Sequence, residues 1–439
     1  MGGFVGRTEE FRYLEAVYAK CPVACAISGR RHSGKTALLR EFCKDKPCIY
    51  LTGTRSLKDD ELARMSAALS EFAGKRVVVD DMEDLFPKLK KVCGKKKTVV
   101  VINNFSYLVE SFPEMTSYLR MFMSRDINST KIMLLVSDTD SSIFGRFYYT
   151  LDVRSMSYKD CMGFHPDYTP MEHLTVYSLV GGTPVYQSMF DGKPGDVIRR
   201  DFFNHMSPFC LEVEGLIGNE PEMRFVSNRV LSAMATGAQS IKDISARADL
   251  STSLCTKAVE DMEHKGILLK EVSSGPSKRA IYSIQSNILR FFYEVIHKYT
   301  YQMEFGSSEE AYEMAKPDIN RFLEKSFKTV CMDYVALNYR YSFVGKLRRR
   351  DDSKDSVVDF VAAVTENNVN CTAVCTCRLF GGQFVEDDLE SLRARGKRIA
   401  GSNQIYMMFS GAGFSPELRE RAEKENGIRL VSLEDVYRT

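Results

Sequence analysis

A glycine-rich loop placed between a strand and a helix constrains this chain more than any other feature. Residues 23–27 form a short apolar run typical of a buried strand. The pattern G-x-x-x-x-G-K-T follows at residues 29–36, and an apolar helical run occupies residues 37–42. Strand, loop and helix in this order predict a Walker A motif, in which backbone N–H groups and a helix N-terminus surround phosphates. We therefore expect an α/β P-loop nucleotide-binding core.

The loop supplies the predicted cofactor-binding residues, with ATP and Mg²⁺ as the cofactors. These residues are Gly29, Arg30, Arg31, His32, Ser33, Gly34, Lys35 and Thr36. Lys35 is expected to reach the β- and γ-phosphates, and the Thr36 hydroxyl is the predicted metal ligand for Mg²⁺.

A phosphate loop also needs an acidic partner at the end of a neighbouring strand, and two segments are candidates. Residues 98–102 form a clear core strand, but Asn103 and Asn104 follow it. Residues 77–79 form a second candidate strand, which ends in Asp80 and Asp81. Those two aspartates match the expected order of a strand followed by acidic residues. Their alternative role is to cap the helix that follows them.

Further motifs, in family order, resemble an archaeal and bacterial family of P-loop ATPases in the AAA+/STAND group. They lie at residues 4–10, 29–36, 101–108, 145–146, 156–161, 164–168 and 179–186. The resemblance covers about the first 190 residues. It implies that Asn103 and Asn104 replace the Asp-Glu pair of the family's Walker B motif, and that Asp80 and Asp81 are a helix cap.

These two amides change the chemistry that the resemblance implies. A Walker B aspartate orients Mg²⁺ through its water shell, and the glutamate polarises the attacking water. An amide forms hydrogen bonds but cannot accept a proton as a base. We therefore expect ATP and ADP to bind and hydrolysis to be slow. Asp138 or Asp140, beyond the strand at 131–137, could partly compensate; loop capping is the alternative role for either.

Two other elements of the family bear on the nucleotide. Arg146 stands where the family keeps an arginine, and it is expected to sense the γ-phosphate in its own or a neighbouring subunit. A surface arginine is the alternative. Together, Asn103, Asn104 and Arg146 are the predicted catalytic positions. Residues 182–184 resemble the G-x-P element with which STAND lids approach the nucleotide, although a helix C-cap and turn would look the same.

A three-helix pattern and two strands follow the first 220 residues. The helical blocks lie at 225–235, 241–248 and 253–264, and the strands at 266–272 and 280–284. This order resembles the winged helix-turn-helix that the family carries at this point. In DNA-binding versions the third helix enters the major groove and the wing contacts the backbone.

The resemblance makes six residues the candidate nucleic-acid contacts: Thr252, Ser253, Thr256, Lys257, Lys278 and Arg279. The alternative is a winged helix used for protein packing. Acidic residues of the third helix favour that alternative, because Glu260, Asp261 and Glu263 would repel phosphates.

From about Phe305 the chain resembles a restriction-endonuclease-like domain. Active members need an Asp and then a Glu-x-Lys on the next strand. Asp359 matches the first acid, but Thr376 and Arg378 stand in place of the Glu and the Lys. Because arginine does not deprotonate to act as a base, we expect a degenerate nuclease-like fold without cutting activity. The basic run at 346–350 could contact a DNA backbone or form a solvated loop.

Composition limits the partners. Sixty basic and 58 acidic residues give a net charge of +2, so binding to nucleic acid requires a local patch. The chain has no apolar run long enough for a membrane helix and no signal-peptide pattern at its start. We therefore expect a cytoplasmic protein without a membrane partner.

The expected architecture is α/β, with a P-loop NTPase core of the AAA+/STAND type followed by three further domains. The predicted bounds are 1–160 for the P-loop domain, 161–220 for a helical lid, 221–300 for the winged helix and 301–439 for the degenerate nuclease-like domain.

The sequence favours an ATP-binding regulatory protein with weak or no hydrolysis. Its nucleotide state would control binding to DNA, to a protein partner or to a second copy of the chain. One alternative is a competent DNA-associated ATPase that takes its acid from Asp80, Asp81 or Asp138. The other is a non-enzymatic DNA-binding scaffold with a vestigial nucleotide site.

Overall fold

The computed structural model describes residues 3–139, 141–218, 220–272, 280–345, 358–399, 401 and 403–438. The chain divides into two units. The first comprises Met1–Met156 with Gly182–Val185, and the second comprises Ser157–Gly181 with Tyr186–Thr439. None of the helices within the described ranges is long and apolar enough to cross a membrane.

A five-stranded parallel sheet organises the first unit. Its strands are β1 (Val23–Ser28), β2 (Cys48–Thr52), β3 (Thr98–Asn103), β4 (Ile132–Ser137) and β5 (Tyr149–Asp152), in the order β2-β3-β4-β1-β5. Its helices are α1 (Thr8–Ala19), α2 (Lys35–Cys43), α3 (Lys58–Ala73), α4 (Leu85–Cys93), α5 (Phe105–Ser111) and α6 (Met115–Met121). Every residue of β3 and β4 is buried, as parallel strands covered on both faces require. The carboxyl ends of β1, β4 and β3 therefore meet at one edge.

Residues 77–79 belong to no strand, so the prediction of a strand there is wrong. The backbone N–H groups of Val77 and Val79 donate to the hydroxyls of Ser70 and Ser66 on α3, each at 2.8 Å. Two backbone N–H groups of this segment thus donate to serine hydroxyls on a helix. In a strand, they would donate to the backbone of a neighbouring strand. The three valines are residues that favour strands, but their hydrogen-bond partners lie on a helix and not on a strand.

The two aspartates after this run have structural partners of their own. Asp81 accepts a hydrogen bond from the N–H of Met82 at 2.6 Å and caps the 3-10 turn Met82–Asp84. Asp80 forms an ion pair with Lys88 at 3.1 Å. The predicted capping role is confirmed for Asp81, and neither carboxylate follows a strand of the sheet.

The second unit begins with short helices and continues into three helices and a hairpin. The helices are α7 (Tyr158–Cys161), α8 (Pro170–Val180), α9 (Pro184–Ser188, which begins in the first unit), α10 (Pro194–Val197), α11 (Pro208–Ile217), α12 (Pro221–Ala235), α13 (Ile241–Ala248) and α14 (Thr252–His264). The antiparallel pair β6 (Leu268–Val272) and β7 (Ala280–Ile284) follows. The three helices and two strands expected after residue 220 are therefore present.

A mixed sheet forms the C-terminal part of the second unit. Helices α15 (Asn287–Glu294), α16 (Thr300–Phe305) and α17 (Ser308–Asn338) precede it; α18 (Glu386–Gly396), α19 (Pro416–Lys424) and α20 (Leu433–Val436) lie among and after its strands. The strands are β8 (Arg340–Gly345), β9 (Phe360–Glu366), β10 (Val369–Arg378), β11 (Gln404–Ser410) and β12 (Ile428–Ser432), in the order β12-β11-β10-β9-β8. One apolar core runs from α8 through α12–α15 and α17 to this sheet. The predicted division at residues 160, 220 and 300 stays a prediction.

Candidate nucleotide site

The phosphate loop leaves the carboxyl end of β1 in a turn that two glycines make possible. Gly29 has φ 150°, and a Cβ there would lie 2.5 Å from the carbonyl oxygen of Val153. Gly34 has φ 90°, and its Cβ would lie 3.3 Å from the Pro184 ring. A side chain at Gly29 would displace backbone, so the close approach of the loop to the chain after β5 requires glycine.

Lys35 is a buried cation at the first position of α2. Its ammonium group donates to the carbonyl oxygens of Gly29 at 2.5 Å and Arg30 at 2.8 Å. Burial lowers the pKa of Lys35 to about 8, and the nearby carboxylates of Asp138 and Asp152 oppose that decrease. The loop thus surrounds a desolvated positive charge, which an anion would stabilise.

Arg7 provides a second buried cation, from the motif at residues 4–10. Its Nη2 donates to the carbonyl oxygen of Ser33 at 2.6 Å, and its Nη1 pairs with Glu10 at 2.6 Å. Arg7 itself adopts a left-handed backbone conformation with φ 64° immediately before α1. No spacing rule in the sequence relates Arg7 to Ser33, so only the structure identifies Arg7 as a positioning residue for the loop.

Asn103 and Asn104 end β3 beside the loop, but their side chains diverge. Asn103 is buried, and its Nδ2 lies 3.4 Å from the Thr36 hydroxyl. Its Oδ1 is buried without a hydrogen-bond partner among the residues that the structure describes. Asn104 has φ 54° and donates instead to the carbonyl oxygen of Gly53 at 3.3 Å. Of the two predicted catalytic amides, only Asn103 therefore lies against the predicted metal ligand.

Asp138 brings a carboxylate to the same edge of the sheet. It follows β4, which lies between β1 and β3, and it is buried. Its Oδ2 accepts the N–H of Ser106 at 2.6 Å in the first turn of α5, and its Oδ1 accepts the N–H of Thr139 at 2.7 Å. The capping role is confirmed for Asp138, whose charge also acts on Lys35. Asp140 lies outside the described residues.

Arg146 is exposed and precedes β5 by three residues. Strand β5 runs parallel to β1, and Tyr149 at its start is in register with Cys25, the third of the six residues of β1. The chain therefore enters β5 from the edge opposite the phosphate loop. The role of Arg146 stays a prediction.

Residues 182–184 lie against the phosphate loop. The Pro184 ring is the nearest group to the position that a Cβ of Gly34 would occupy. The carbonyl oxygen of Gly182 accepts the N–H of Met156 at 2.8 Å, and a Cβ on Gly182 would lie 1.9 Å from the Met156 oxygen. Glycine is therefore required where this segment meets Met156, and the proline is brought to the loop as the G-x-P resemblance implies.

The predicted DNA-contact residues of α14 lie at its amino-terminal end. Thr252, Ser253 and Lys257 are exposed. Thr256 is partly buried, and its hydroxyl donates to the carbonyl oxygen of Thr252 at 2.8 Å. Glu260 is exposed on the same helix. The other predicted contacts, Lys278 and Arg279, lie outside the described residues, as does the basic run at 346–350.

The predicted nuclease position at Asp359 has an unforeseen partner. Lys328 of α17 places its ammonium 2.6 Å from Oδ1 of Asp359. Oδ2 of the same carboxylate accepts the N–H of Cys377 at 2.7 Å and the hydroxyl of Thr376 at 3.3 Å. Arg378 is paired with Asp388 at 2.7 Å. A lysine thus neutralises the carboxylate that would have to bind a metal ion.

No protein-family model matches the chain. The uncharacterized protein MJECL04 of Methanocaldococcus jannaschii is 21% identical over 378 residues, which cover 81% of this chain and 84% of that protein.

Two solved structures illustrate the likeness. The Walker-type ATPase Paby2304 of Pyrococcus abyssi has a TM-score of 0.51 at 15% identity, covering 66% of this chain and 96% of its own. The Aeropyrum pernix ORC1 protein in complex with DNA has a TM-score of 0.36 at 13% identity, covering 73% and 95%. The first of these shows the fold: this chain has the mixed α/β fold of that Walker-type ATPase, with a parallel sheet at its centre.

Proposed function

We propose that this chain is an ATP-binding regulatory protein of the AAA+/STAND type that holds ATP and hydrolyses it slowly. One observation carries the proposal: a complete phosphate loop adjoins an amide where a working site would have a carboxylate. Lys35 and Thr36 are in place for binding, and the side chain beside Thr36 is Asn103. Binding and hydrolysis are therefore separable in this site.

The residues of the loop suit a nucleotide with Mg²⁺. The Ser33 hydroxyl and the Asn103 Oδ1 are buried without hydrogen-bond partners in the described parts of the chain. Both are neutral oxygens at the loop, and Mg²⁺ prefers oxygen ligands and keeps several waters. Thr36 and Asn103 would hold the ion, whose charge would stabilise the phosphates. Lys35 would exchange its two carbonyl acceptors for phosphate oxygens.

Slow hydrolysis follows from what the amides can do. Asn103 can orient a water by a hydrogen bond, but neither its oxygen nor its nitrogen accepts a proton at neutral pH. Asn104 points to Gly53, away from Thr36. The described contacts therefore place no general base directly after β3.

Asp138 supports a second candidate function, a competent ATPase. Its carboxylate is buried at the same sheet edge and interacts with Lys35. However, each of its oxygens already accepts a backbone N–H group, from Ser106 and Thr139. Both oxygens of Asp138 are therefore already engaged in structural hydrogen bonds, so slow hydrolysis remains the first candidate.

For the second unit we propose a winged helix, built from α12–α14 with β6 and β7, and a degenerate nuclease-like domain. The order of elements and the exposed polar end of α14 support the first assignment. The mixed sheet with Asp359 before β9 supports the second. Nucleotide state would then be coupled to DNA, to a protein partner or to a second copy of the chain.

A titration with ATP, with and without Mg²⁺, tests the binding site through its pH dependence. Lys35 in the free protein has a pKa of about 8, and phosphates favour its charged form. Below that pH the ammonium is already charged, so the affinity should be constant with pH. Above it, binding must take up a proton, and the Kd should rise about tenfold per pH unit. Calorimetry in two buffers of different ionisation enthalpy would detect the proton.

The matched control is Lys35→Arg, since a guanidinium stays charged through this range. The variant should bind ATP more weakly, because of its different shape, but with a flat pH profile. A wild-type affinity that does not change between about pH 7 and pH 9.5 would contradict the assigned role of Lys35.

The nuclease-like domain is expected not to cut DNA. The Lys328 ammonium neutralises Asp359, and no acid stands at Thr376 to complete a metal site. Supercoiled plasmid incubated with the full chain and Mg²⁺ or Mn²⁺ should remain intact on a gel. Nicking that disappears in the Asp359→Asn variant would show that the site is active.

A further inference from the structure

Four turns of the first unit carry an unusual concentration of lysines. Each turn leads into one of the parallel strands, and the turns comprise residues 20–22, 44–47, 94–97 and 130–131. They contain Lys20, Lys44, Lys46, Lys95, Lys96, Lys97 and Lys131, with Asp45 as their single acid. A chain with a net charge of +2 thus concentrates positive charge at these four points.

The topology brings these turns together. Strands β2, β3, β4 and β1 are neighbours and all run parallel, so their amino ends lie at one edge of the sheet. With neighbouring strands about 4.8 Å apart, the four turns form a row about 15 Å long. The phosphate loop follows the carboxyl end of β1, so this row lies at the opposite edge. We call these seven lysines the lysine edge.

Contacts at the edge confirm that the lysines converge. The ammonium groups of Lys97 and Lys46 lie 3.9 and 5.6 Å from the centre of the Tyr18 ring. Burial raises the pKa of the Cys21 thiol, and the nearby ammonium groups of Lys97 and Lys131 oppose that rise. Cations from the turns before β2, β3 and β4 therefore surround one short segment before β1.

Several of these lysines are partly ordered before any ligand binds. Lys20 lies 5.1 Å from the ring centre of Tyr149, and Lys96 lies 5.3 Å from that of Phe72. An ammonium group held over an aromatic ring has fewer conformations to lose, so ordering it on binding costs less entropy.

Neighbouring carboxylates neutralise only part of the lysine edge. Lys46 pairs with Glu15 at 2.7 Å, and Lys44 pairs with Glu41 at 2.5 Å. Lys95, Lys96 and Lys131 are exposed, and none of the ion pairs among the described residues includes them. Lys20 shares both properties, so these three lysines are among the charges available to a partner.

We propose that the lysine edge binds the phosphate backbone of duplex DNA without reading its sequence. Seven lysines make charge the main feature that this edge offers a partner, with Tyr148 as an exposed aromatic neighbour, whereas the core of a protein interface is depleted of lysine and enriched in aromatic anchors. A phosphate backbone, by contrast, is a linear array of charges that lysines bind by releasing counterions. This site lies in the first unit. The proposal goes beyond the proposed function, because DNA binding at this site requires neither ATP nor α14.

Binding of the full chain to a labelled duplex of about 20 base pairs, measured by anisotropy between about 50 and 200 mM NaCl, tests the proposal. Each phosphate contact contributes about 0.9 to the slope of log K against log salt. The variant Lys95→Gln, Lys96→Gln, Lys131→Gln should therefore have a slope shallower by about two to three, for any duplex sequence.

The matched control changes three exposed lysines of the second unit, Lys193→Gln, Lys397→Gln and Lys424→Gln. It alters the net charge equally and should keep the wild-type slope. Equal effects in the two triple variants, or no effect in either, would overturn the proposal. Thermal melting and ATP affinity should be unchanged in both, which separates this test from that of the nucleotide site.

Two further experiments test which surface of the chain binds DNA and whether the partner is DNA or an acidic protein. Changing Thr252, Ser253 and Lys257 of α14 to alanine should leave the contribution of the lysine edge to the slope intact. If that variant abolishes all DNA binding, α14 alone carries it and the proposal is wrong. If poly-glutamate binds through Lys95, Lys96 and Lys131 and DNA does not, the partner is an acidic protein and the proposal is likewise overturned.

Discussion

Replacing Lys35 with alanine is expected to weaken ATP binding by about 30- to 1000-fold while the chain stays folded. Removing one partner of a buried, hydrogen-bonded charge pair costs about 2–4 kcal/mol in binding. Lys35 is the buried cation of the loop, so bound phosphates would lose their closest charge partner. Calorimetric titration with ATP, in the presence of Mg²⁺, measures the loss directly.

Folding should change little, because burial already disfavours the charge of Lys35, as its pKa of about 8 indicates. Lys35→Met tests this, since it keeps the stem and removes only the charged group; its melting temperature should equal or exceed that of the wild type. Lys91→Ala, at an exposed position of α4, is the control for affinity. Equal ATP affinity in the wild type and in both Lys35 variants would show that the loop is not the nucleotide site.

Local patterns predicted several elements of this fold correctly. The phosphate loop, α13 and β7 lie at the residues that the sequence indicated, because glycines, caps and apolar periodicity act over a few residues. The run at 77–79 shows where such reasoning fails. Three valines favour a strand in composition, but the structure anchors them to Ser66 and Ser70 on a helix. Nothing near the valines specifies that partner.

The parts of the site that the sequence did not reveal are contacts between distant residues. Arg7 reaches Ser33, and Lys328 reaches Asp359, through packing that no spacing encodes. The lysine edge differs from these contacts, because it is a surface formed by several turns. Its lysines are visible in the sequence, but their convergence depends on the strand order and on every pairing being parallel. Topology, rather than any local motif, turns four separate turns into one surface.

Restoring the carboxylates with Asn103→Asp and Asn104→Glu is expected to raise phosphate release at least tenfold. A missing general base typically costs about 10²–10⁴ in rate, so wild-type turnover should lie well below about 1 s⁻¹. Single-turnover phosphate release, with ATP affinity measured in parallel, checks both statements. ATP affinity should change little, because Lys35 and Thr36 are retained in every variant.

The single variants separate the roles of the two positions. Asn103 lies 3.4 Å from the Thr36 hydroxyl, so Asn103→Asp should strengthen mainly the Mg²⁺-dependent part of binding. Asn104 points toward Gly53, so Asn104→Glu accelerates hydrolysis only if its side chain turns toward the phosphates. Asp138→Asn is the decisive comparison. If the wild type already exceeds about 1 s⁻¹ and this variant abolishes that rate, then Asp138 is the acid and the protein is a competent ATPase. If the restored pair changes nothing and Asp138→Asn changes nothing either, the water is not activated at the end of β3.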